Sequence, residues 1–454
     1  MTIGFLPLGP VVKNLDPLTM SVFPLIERFI PASVDQLLLR HQALPRQHDL
    51  LTPSRILRFE LLQATRPETS FQEVLREVWQ SWRLSGLVHG NMPTSSALAQ
   101  ARSRLPAWVL ATVLKYTSSL ADCLSIHPSW PHHRLLSIDG TFLRLPHHSP
   151  LIENFGRTRN QNGESYFPQT LAVWVLLVQH QIVLEERLGL STDSDETIAP
   201  RLLPKILSPG DLILGDAHFG HYPTLAVIGS CQAFYLMRAP SNLPRQFDLS
   251  TTTNDFQLEL KLSLAMKDKY CDLSMPEKLP VRVLRYIIPS RDELNGTEQA
   301  LFLTNLPGEQ FSHEQLSVLP PLRWIHETTN NDIKTRLGLG NIRSLLPERV
   351  RREQLAHLCL SNIVRLMMVQ QNQQPLKNKS FTAAITALRN ANQQLRTLPQ
   401  KYSEITAIMQ EMIQQQFVIP RPKRSEPRLR RPQGRPYRVF TTPRSQWRNA
   451  RKVG

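Results

Sequence analysis

The stretch Leu135–Pro146, LLSIDGTFLRLP, decides how the rest of the chain is read. Leu135 to Ile138 run, largely apolar, into one acid, Asp139. Beyond it Thr141, Leu143 and Leu145 alternate with Phe142 and Arg144. This is the pattern of a strand buried on both faces in its first half and wet on one face in its second. Asp139-Gly140 is also a hairpin-turn dipeptide. The turn reading weakens because the apolar pattern runs through Asp139 instead of breaking there. An ionised carboxylate in an apolar strand is costly unless a cation or hydrogen-bond donors compensate it. Asp139 is therefore a candidate metal ligand in need of partners.

The residues that follow supply an order of elements. TLAVWVLLVQ (170–179) and IVLEERLGL (182–190) are apolar strands close enough to pair as a hairpin around Gln179 to Gln181. Residues 196–207 have helix spacing, with Ile198, Leu202, Leu203 and Ile206 on one face. Residues 211–215 form a short apolar strand, and Asp216 stands at its carboxyl end. A helix at 222–228 and the strand AFYLMRA (233–239) complete the series. Three strands, a helix, a strand, a helix and a strand is the order of an RNase H-like mixed sheet, so the expected fold class is α/β.

Ligands in open α/β sheets gather at the carboxyl ends of strands, which is where Asp216 falls. The competing reading makes Asp216 a loop acid that caps the next helix. His218 and His221 have no third histidine at ligand spacing and read as loop residues. Further on, Arg323, Glu327 and Lys334 are separated by four and seven residues, so a helix would put them on one face. Arg and Glu four apart also describe an ordinary surface ion pair.

Residues 1–128 read as helical throughout: SVDQLLLRHQAL, PSRILRFELLQAT and SFQEVLREVWQSWRL all repeat apolar residues every three or four positions. Ser70 with Glu73 suggests a capping box. Thr94 to Ser96 offer N-cap hydroxyls to a helix whose Ala97, Ala101 and Leu105 share a face and from which Arg102 and Arg104 project. That helix is either a DNA-docking element or a small-residue packing helix. Residues 240–312 have another grain, with three alternating strand patterns that read as a β-rich insertion dividing the main domain. Its Lys261, Lys267, Lys269, Arg282 and Arg285 either line a DNA path or serve solubility. Residues 313–418 return to the core and its helices, including an amphipathic helix near 348–369 with a stripe of Leu355, Leu358, Cys359, Ile363 and Leu366. Two more helices follow near 382–396 and 402–417.

The 454 residues leave room for two or three domains and a sizeable core, and a 41% hydrophobic content fits a globular chain. No apolar run approaches the ~18 residues that span a bilayer. The first residues show no secretion signal, and four scattered cysteines without a Cys-x-x-Cys pair suggest a reducing compartment and argue against a zinc cluster. The net charge of +16 is uneven: residues 420–454 carry twelve Lys or Arg against Glu426, which is +11, and the rest only +5. The Pro- and Arg-rich segment 419–454 cannot bury enough to fold alone. It reads as a disordered polyanion-seeking arm, with nucleic acid the expected partner.

Three acids, one in the first strand, one after the fourth and Glu327 on a later helix, can converge over one edge of an RNase H-like sheet. Phosphodiester transfer with two divalent ions calls for such hard oxygen ligands. At these residues the chain resembles the insertion-sequence DDE transposases that carry a Tyr-x2-Arg-x3-Glu-x6-Lys signature. The matching runs are IDGT (138–141), PGDLILGDAHFG (209–220) and RWIHETTNNDIK (323–334), and SALAQARSRLP (96–106) is similar to their N-terminal region. The likeness spans about 94–370, interrupted by the β insertion. It departs at Pro320, where the signature has Tyr.

The resemblance implies that Asp139, Asp216 and Glu327 bind two Mg²⁺ or Mn²⁺ and cut and rejoin double-stranded DNA in cut-and-paste transposition. It further implies that Arg323 and Lys334 hold phosphates at the element's end. A hairpin intermediate, a synaptic homodimer and a place beside the bacterial nucleoid in the cytoplasm also follow only from the resemblance. Two alternatives stay open: a metal-dependent nuclease without joining activity, and an inactive DNA-binding relic.

Overall fold

The computed structural model of the chain describes residues 16–41, 50–123, 130, 133–160, 163–243, 253–289, 297–369 and 379–418. The arm expected at 419–454 lies outside the described residues. Among the described residues ten strands follow in chain order: β1 (Leu135–Arg144), β2 (Arg159–Asn160), β3 (Gly163–Glu164), β4 (Gln169–Leu177), β5 (Ile182–Gly189), β6 (Leu212–Gly215), β7 (Phe234–Arg238), β8 (Asp255–Lys261), β9 (Lys278–Pro289) and β10 (Thr297–Thr304). β2 and β3 pair with each other. The other eight form one sheet in the order β5-β4-β1-β6-β7-β10-β9-β8.

The expected hairpin forms: β4 pairs antiparallel with β5, and β4 also pairs antiparallel with β1. β1, β6 and β7 run parallel. Helices Asp195–Leu202 and Tyr222–Ser230 make the crossovers. Strands β5-β4-β1-β6-β7 are thus the RNase H-like mixed sheet that the order of elements predicts. The strands of the 240–312 insertion do not build a sheet of their own. β10 pairs with β7, and β9 and β8 extend the same sheet beyond it.

Sheet alternation sends side chains to two faces. Leu136, Ile138, Ile213 and Met237 join the large helical core. Leu135, Leu214 and Leu236 point to a smaller cluster that packs against Leu319, Leu322 and Ile325. Helix Pro347–Val369 differs from the single-stripe helix expected, since it is buried on nearly every side. It lies between the N-terminal helices Pro53–Ala64 and Ala107–Cys123 and strand β5. Some of its buried polar groups are partnered by distant elements: the Asn362 amide accepts from Val183 N and donates to Val183 O, each at 2.8 Å. Arg365 is paired with Asp332.

The N-terminal region is helical as predicted, from Pro17–Val22 to Ala107–Cys123. Ser70 caps helix Phe71–Leu84 by accepting from Glu73 N at 3.2 Å, and Thr94 caps Ser95–Ser103 by accepting from Ala97 N at 3.2 Å. The latter helix buries Leu98 and Ala101, with Leu105 just beyond it, and leaves Ala97 exposed, so its packing face is turned by one residue from the expected one.

Candidate active site

Asp139 lies within β1 and is no turn residue. Its backbone is paired with Trp174 of β4 in an unbroken antiparallel ladder. Gly140 is required for another reason than a turn: a Cβ there would come within 1.7 Å of Asp195 Oδ1. On the other side, Ser137 is aligned with Leu214 in the parallel pairing of β1 and β6. Two residues further, Asp139 and Asp216 therefore fall at neighbouring positions as β6 ends. Asp216 does not cap the following helix, whose N-cap is His221. Its carboxylate instead accepts from His218 N at 2.9 Å and meets His218 Nδ1 at 3.2 Å.

Glu327 sits in helix Trp324–Asn331, which covers the same face of the sheet as Leu214. Asp216, His218, Arg323, Trp324 and Glu327 line one cavity of about 1000 Å³. Arg323 Nη2 donates to Glu327 Oε1 at 2.8 Å, and its guanidinium lies 5.4 Å from the Trp324 ring centre. Pro320 opens the short 3-10 turn before this helix and lines the same cavity. The cavity thus retains an aromatic side chain, Trp324, four residues beyond the position where the signature has Tyr.

The expected single helical face for Arg323, Glu327 and Lys334 is interrupted. The α-helix ends at Asn331 and gives way to a wider i→i+5 turn over Asp332–Arg336. Lys334 Nζ reaches β1, donating to Thr141 Oγ1 at 2.7 Å and Phe142 O at 3.3 Å. Burial holds its amine below the usual lysine range, against the pull of Asp139.

The electrostatics mark the same spot. Burial, then the negative charge of Asp216, push Asp139 from its ordinary 3.8 up to about 7; Arg323 opposes this and Asp195 adds to it. Asp195 opens helix Asp195–Leu202, and its own carboxyl is raised by burial and by Asp216. Its Oδ1 is buried with no hydrogen-bond partner. Burial pulls His218 down, but the bond and charge of Asp216, with Asp195 and Asp139, raise it overall. Sequence reading missed Asp195, because an acid in the first turn of a helix is ordinary dipole compensation. It also missed Asn330, which donates to Asp139 Oδ2 at 2.9 Å.

Of the two N-terminal arginines expected to project, Arg104 is exposed and Arg102 is not. Arg102 is turned inward: Nε donates to Glu60 Oε1 at 3.0 Å and the guanidinium lies 3.5 Å over the Phe71 ring. Arg104, at the C-cap, donates to Leu51 O at 3.0 Å. In the insertion, Arg282 is likewise structural, buried against Asp255 and the carbonyls of Leu306 and Phe311.

These donors fit a hard divalent cation in kind. They are carboxylates only, two of them neighbours by register, with an unpartnered buried oxygen beside them. Among the described residues, no three His, Cys, Asp or Glu side chains already stand together as a group able to hold an ion. Glu327 is held instead by Arg323.

A pH dependence follows. A carboxyl with a raised folded pKa binds its proton more tightly folded than unfolded, so stability falls as pH rises from about 4 to about 7. The fall is at most about 4 kcal/mol. Urea denaturation in EDTA is expected to show the metal-free protein less stable at pH 8 than at pH 5, with the difference reduced in Asp139→Asn. Equal pH dependence in the two proteins would contradict the assignment.

A family model described as the transposase DDE domain matches residues 130–363. The transposase InsG for insertion sequence element IS4 of Escherichia coli (strain K12) is 24% identical over 299 residues, covering 63% of this chain and 64% of that protein. The chain thus spans somewhat under two thirds of the curated relative's length. A cryo-EM structure of the piggyBac transposase synaptic complex with hairpin DNA aligns over 88% of this chain and 83% of its own, at 10% identity and a TM-score of 0.41. The family match begins just before β1, ends within the long helix and takes in every acid of the site; running over more than half of the sequence, it shows that this chain belongs to the transposase DDE domain family.

Proposed function

We propose that this protein is a DNA transposase that cleaves the ends of its own element and transfers the freed strands into target DNA. The observation that carries the reading is the register of β1 and β6, which brings Asp139, within β1, beside Asp216, just past the end of β6, with Glu327 on the cavity that Asp216 lines.

Asp139, Asp216 and Glu327 would hold the divalent cations, Mg²⁺ or Mn²⁺, that this family generally uses. When bound, such ions neutralise charge on a reacting phosphate and make an attacking hydroxyl more acidic. The chain's own residues do the rest. Arg323 exchanges Glu327 for a DNA phosphate, which frees the third carboxylate at the moment substrate arrives. Lys334 is placed to add a second phosphate contact once it leaves Thr141. His218 keeps the Asp216 carboxylate in place through its backbone and ring nitrogens. Water attacks phosphorus at the element's end, the P–O3′ bond breaks and the 3′-oxygen leaves with a proton. That 3′-hydroxyl then attacks a target phosphodiester and displaces another 3′-oxygen. The IS4 relative supports this reading, and a DNA-bound dimer is part of it.

A strand-cleavage and joining assay on DNA carrying the element's flanking ends tests the proposal. Cleavage with joining supports a transposase; cleavage without joining makes the protein a nuclease. Absence of both, with DNA binding retained, makes it a relic.

The phosphate contact is tested separately. Arg323→Ala is expected to weaken duplex binding and flatten its dependence on log salt by about one unit of slope, the value of one lost phosphate contact. An unchanged slope would leave Arg323 a helix ion pair only.

A further inference from the structure

Helix Trp324–Asn331 and the turn after it run in step with β1. His326, Asn330 and Lys334 recur every four residues. They bond in order to Ser137, Asp139 and Thr141, which recur every two. Four residues of α-helix climb ~6 Å and two residues of strand ~6.6 Å, so the two repeats stay matched. A regular α-helix would drift by ~40° at each such step. The i→i+5 turn over Asp332–Arg336 winds more slowly and brings Lys334 back to the strand.

The middle bond of the three reaches the active site. Asn330 Nδ2 donates to Asp139 Oδ2 at 2.9 Å, and Trp174 Nε1 donates to Asn330 Oδ1 at 2.8 Å. An indole N–H can only donate. The Asn330 oxygen must therefore face Trp174, and its NH₂ group must face Asp139. The anchor is firm: Trp174 is fully buried and is the residue paired with Asp139 across the β1–β4 ladder. Asn330 itself is 8% exposed.

We propose that Asn330, locked by Trp174, is a positioning residue for Asp139: it engages one carboxylate oxygen, fixes the rotation of the group and so sets how Asp139 takes up a divalent cation. This rests on the reading of Asp139 as a cation ligand. A ligating carboxylate left to rotate must be ordered at the moment of binding, whereas one held by a buried donor is already in place. The neighbouring His326–Ser137 bond joins the same helix to the same strand without touching an acid of the site, and it serves as the internal control.

The test is Mn²⁺ titration of the full chain, followed by the electron paramagnetic resonance of free Mn²⁺ in the presence of random duplex DNA. Thermal unfolding without metal is recorded alongside. Asn330→Ala is expected to weaken Mn²⁺ binding by about tenfold. Trp174→Phe keeps a ring in the core but lets the amide turn over, so it should weaken binding by a smaller factor. Ser137→Ala should lower the melting temperature and leave Mn²⁺ affinity unchanged. A folded Asn330→Ala that binds Mn²⁺ as the wild type does would overturn the proposal. Equal weakening by Ser137→Ala would also overturn it, since the effect would then be general docking of the helix. Should Asn330→Ala not fold, Trp174→Phe decides on the same criterion. If the wild-type chain takes up no Mn²⁺, the ligand role of Asp139 falls, and the positioning role falls with it.

Discussion

Replacing Asp139, Asp216 or Glu327 singly with Ala is expected to abolish strand cleavage while leaving duplex binding within a few-fold of wild type. The reason is a separation of tasks. Affinity for DNA comes chiefly from cations that meet phosphates, and none of the three residues is a cation. Removing one acid, if anything, lowers local repulsion of the DNA backbone. Cleavage instead depends on charge stabilisation of the reacting phosphate, worth several kcal/mol, and each 1.36 kcal/mol is a tenfold change in rate. A loss of more than about 10³-fold is therefore expected for each variant. Asp139→Asn is the sharper form of the experiment, because it retains the side chain's shape and an oxygen for Asn330. A variant that cuts at near wild-type rate in Mg²⁺ is not missing a metal ligand. Glu327→Ala also releases Arg323 from its ion pair, so comparing its DNA binding with that of Arg323→Ala separates the two effects.

The largest effect on stability is expected far from the site, at Arg58→Met. Arg58 lies in helix Pro53–Ala64 and is fully buried. Its Nε and Nη2 donate to the two oxygens of Glu27 at 2.8 and 2.7 Å, and Nη1 and Nη2 donate to those of Asp35 at 2.9 and 3.1 Å. The guanidinium thus joins three N-terminal elements, and its proton is held more tightly than usual despite burial. Removing it leaves two nearly buried carboxylates without the guanidinium charge that offsets them, a change that costs about 3–5 kcal/mol. Urea denaturation should show that loss. Replacing Glu27 and Asp35 by apolar residues along with Arg58 should recover part of it, because the penalty comes from buried negative charge that is no longer offset and not from the missing ion pair. The half-exposed pair Arg66–Glu77 provides the contrast. Arg66→Met should cost no more than about 1 kcal/mol. Similar losses in the two single variants would show that the Arg58 cluster is not the fastening point.

How far the sequence could be read follows from how local each signal is. The strands β1, β4, β5, β6 and β7 were legible because burial on both sheet faces leaves near-continuous apolar runs of strand length. An acid inside or directly after such a run stands out, which is why Asp139 and Asp216 could be named from the sequence. Gly140 shows the limit of this. In the sequence Asp139-Gly140 offers a turn that the apolar pattern disfavours, which leaves the glycine without a reason; only the approach of Asp195 explains why no Cβ is tolerated.

Charged residues were the least legible. Arg102 and Arg282 were candidates for DNA because a charge on a helix or strand is usually exposed. In the fold each meets a carboxylate from a distant part of the chain, Glu60 and Asp255 respectively. The long helix followed the same rule in reverse: its polar residues suggested a wet face, yet β5 and helix Ala107–Cys123 supply partners for Asn362. Local periodicity records which residues are apolar and carries nothing about which polar groups will find one another.

By itself, then, the sequence determined the strand and helix order, the acid inside β1 and the acid just after β6, and the spacing of Arg323, Glu327 and Lys334, because these depend on short-range pattern and on hydrophobic burial. Tertiary structure alone decided that the insertion strands extend the same sheet. It alone decided that Asp195 joins the acids, that Lys334 turns to Thr141 and that Asn330 holds Asp139. Each of these is a contact between residues remote in the chain, and its geometry exists only once β1 and β6 are in register and the Glu327 helix has packed across them.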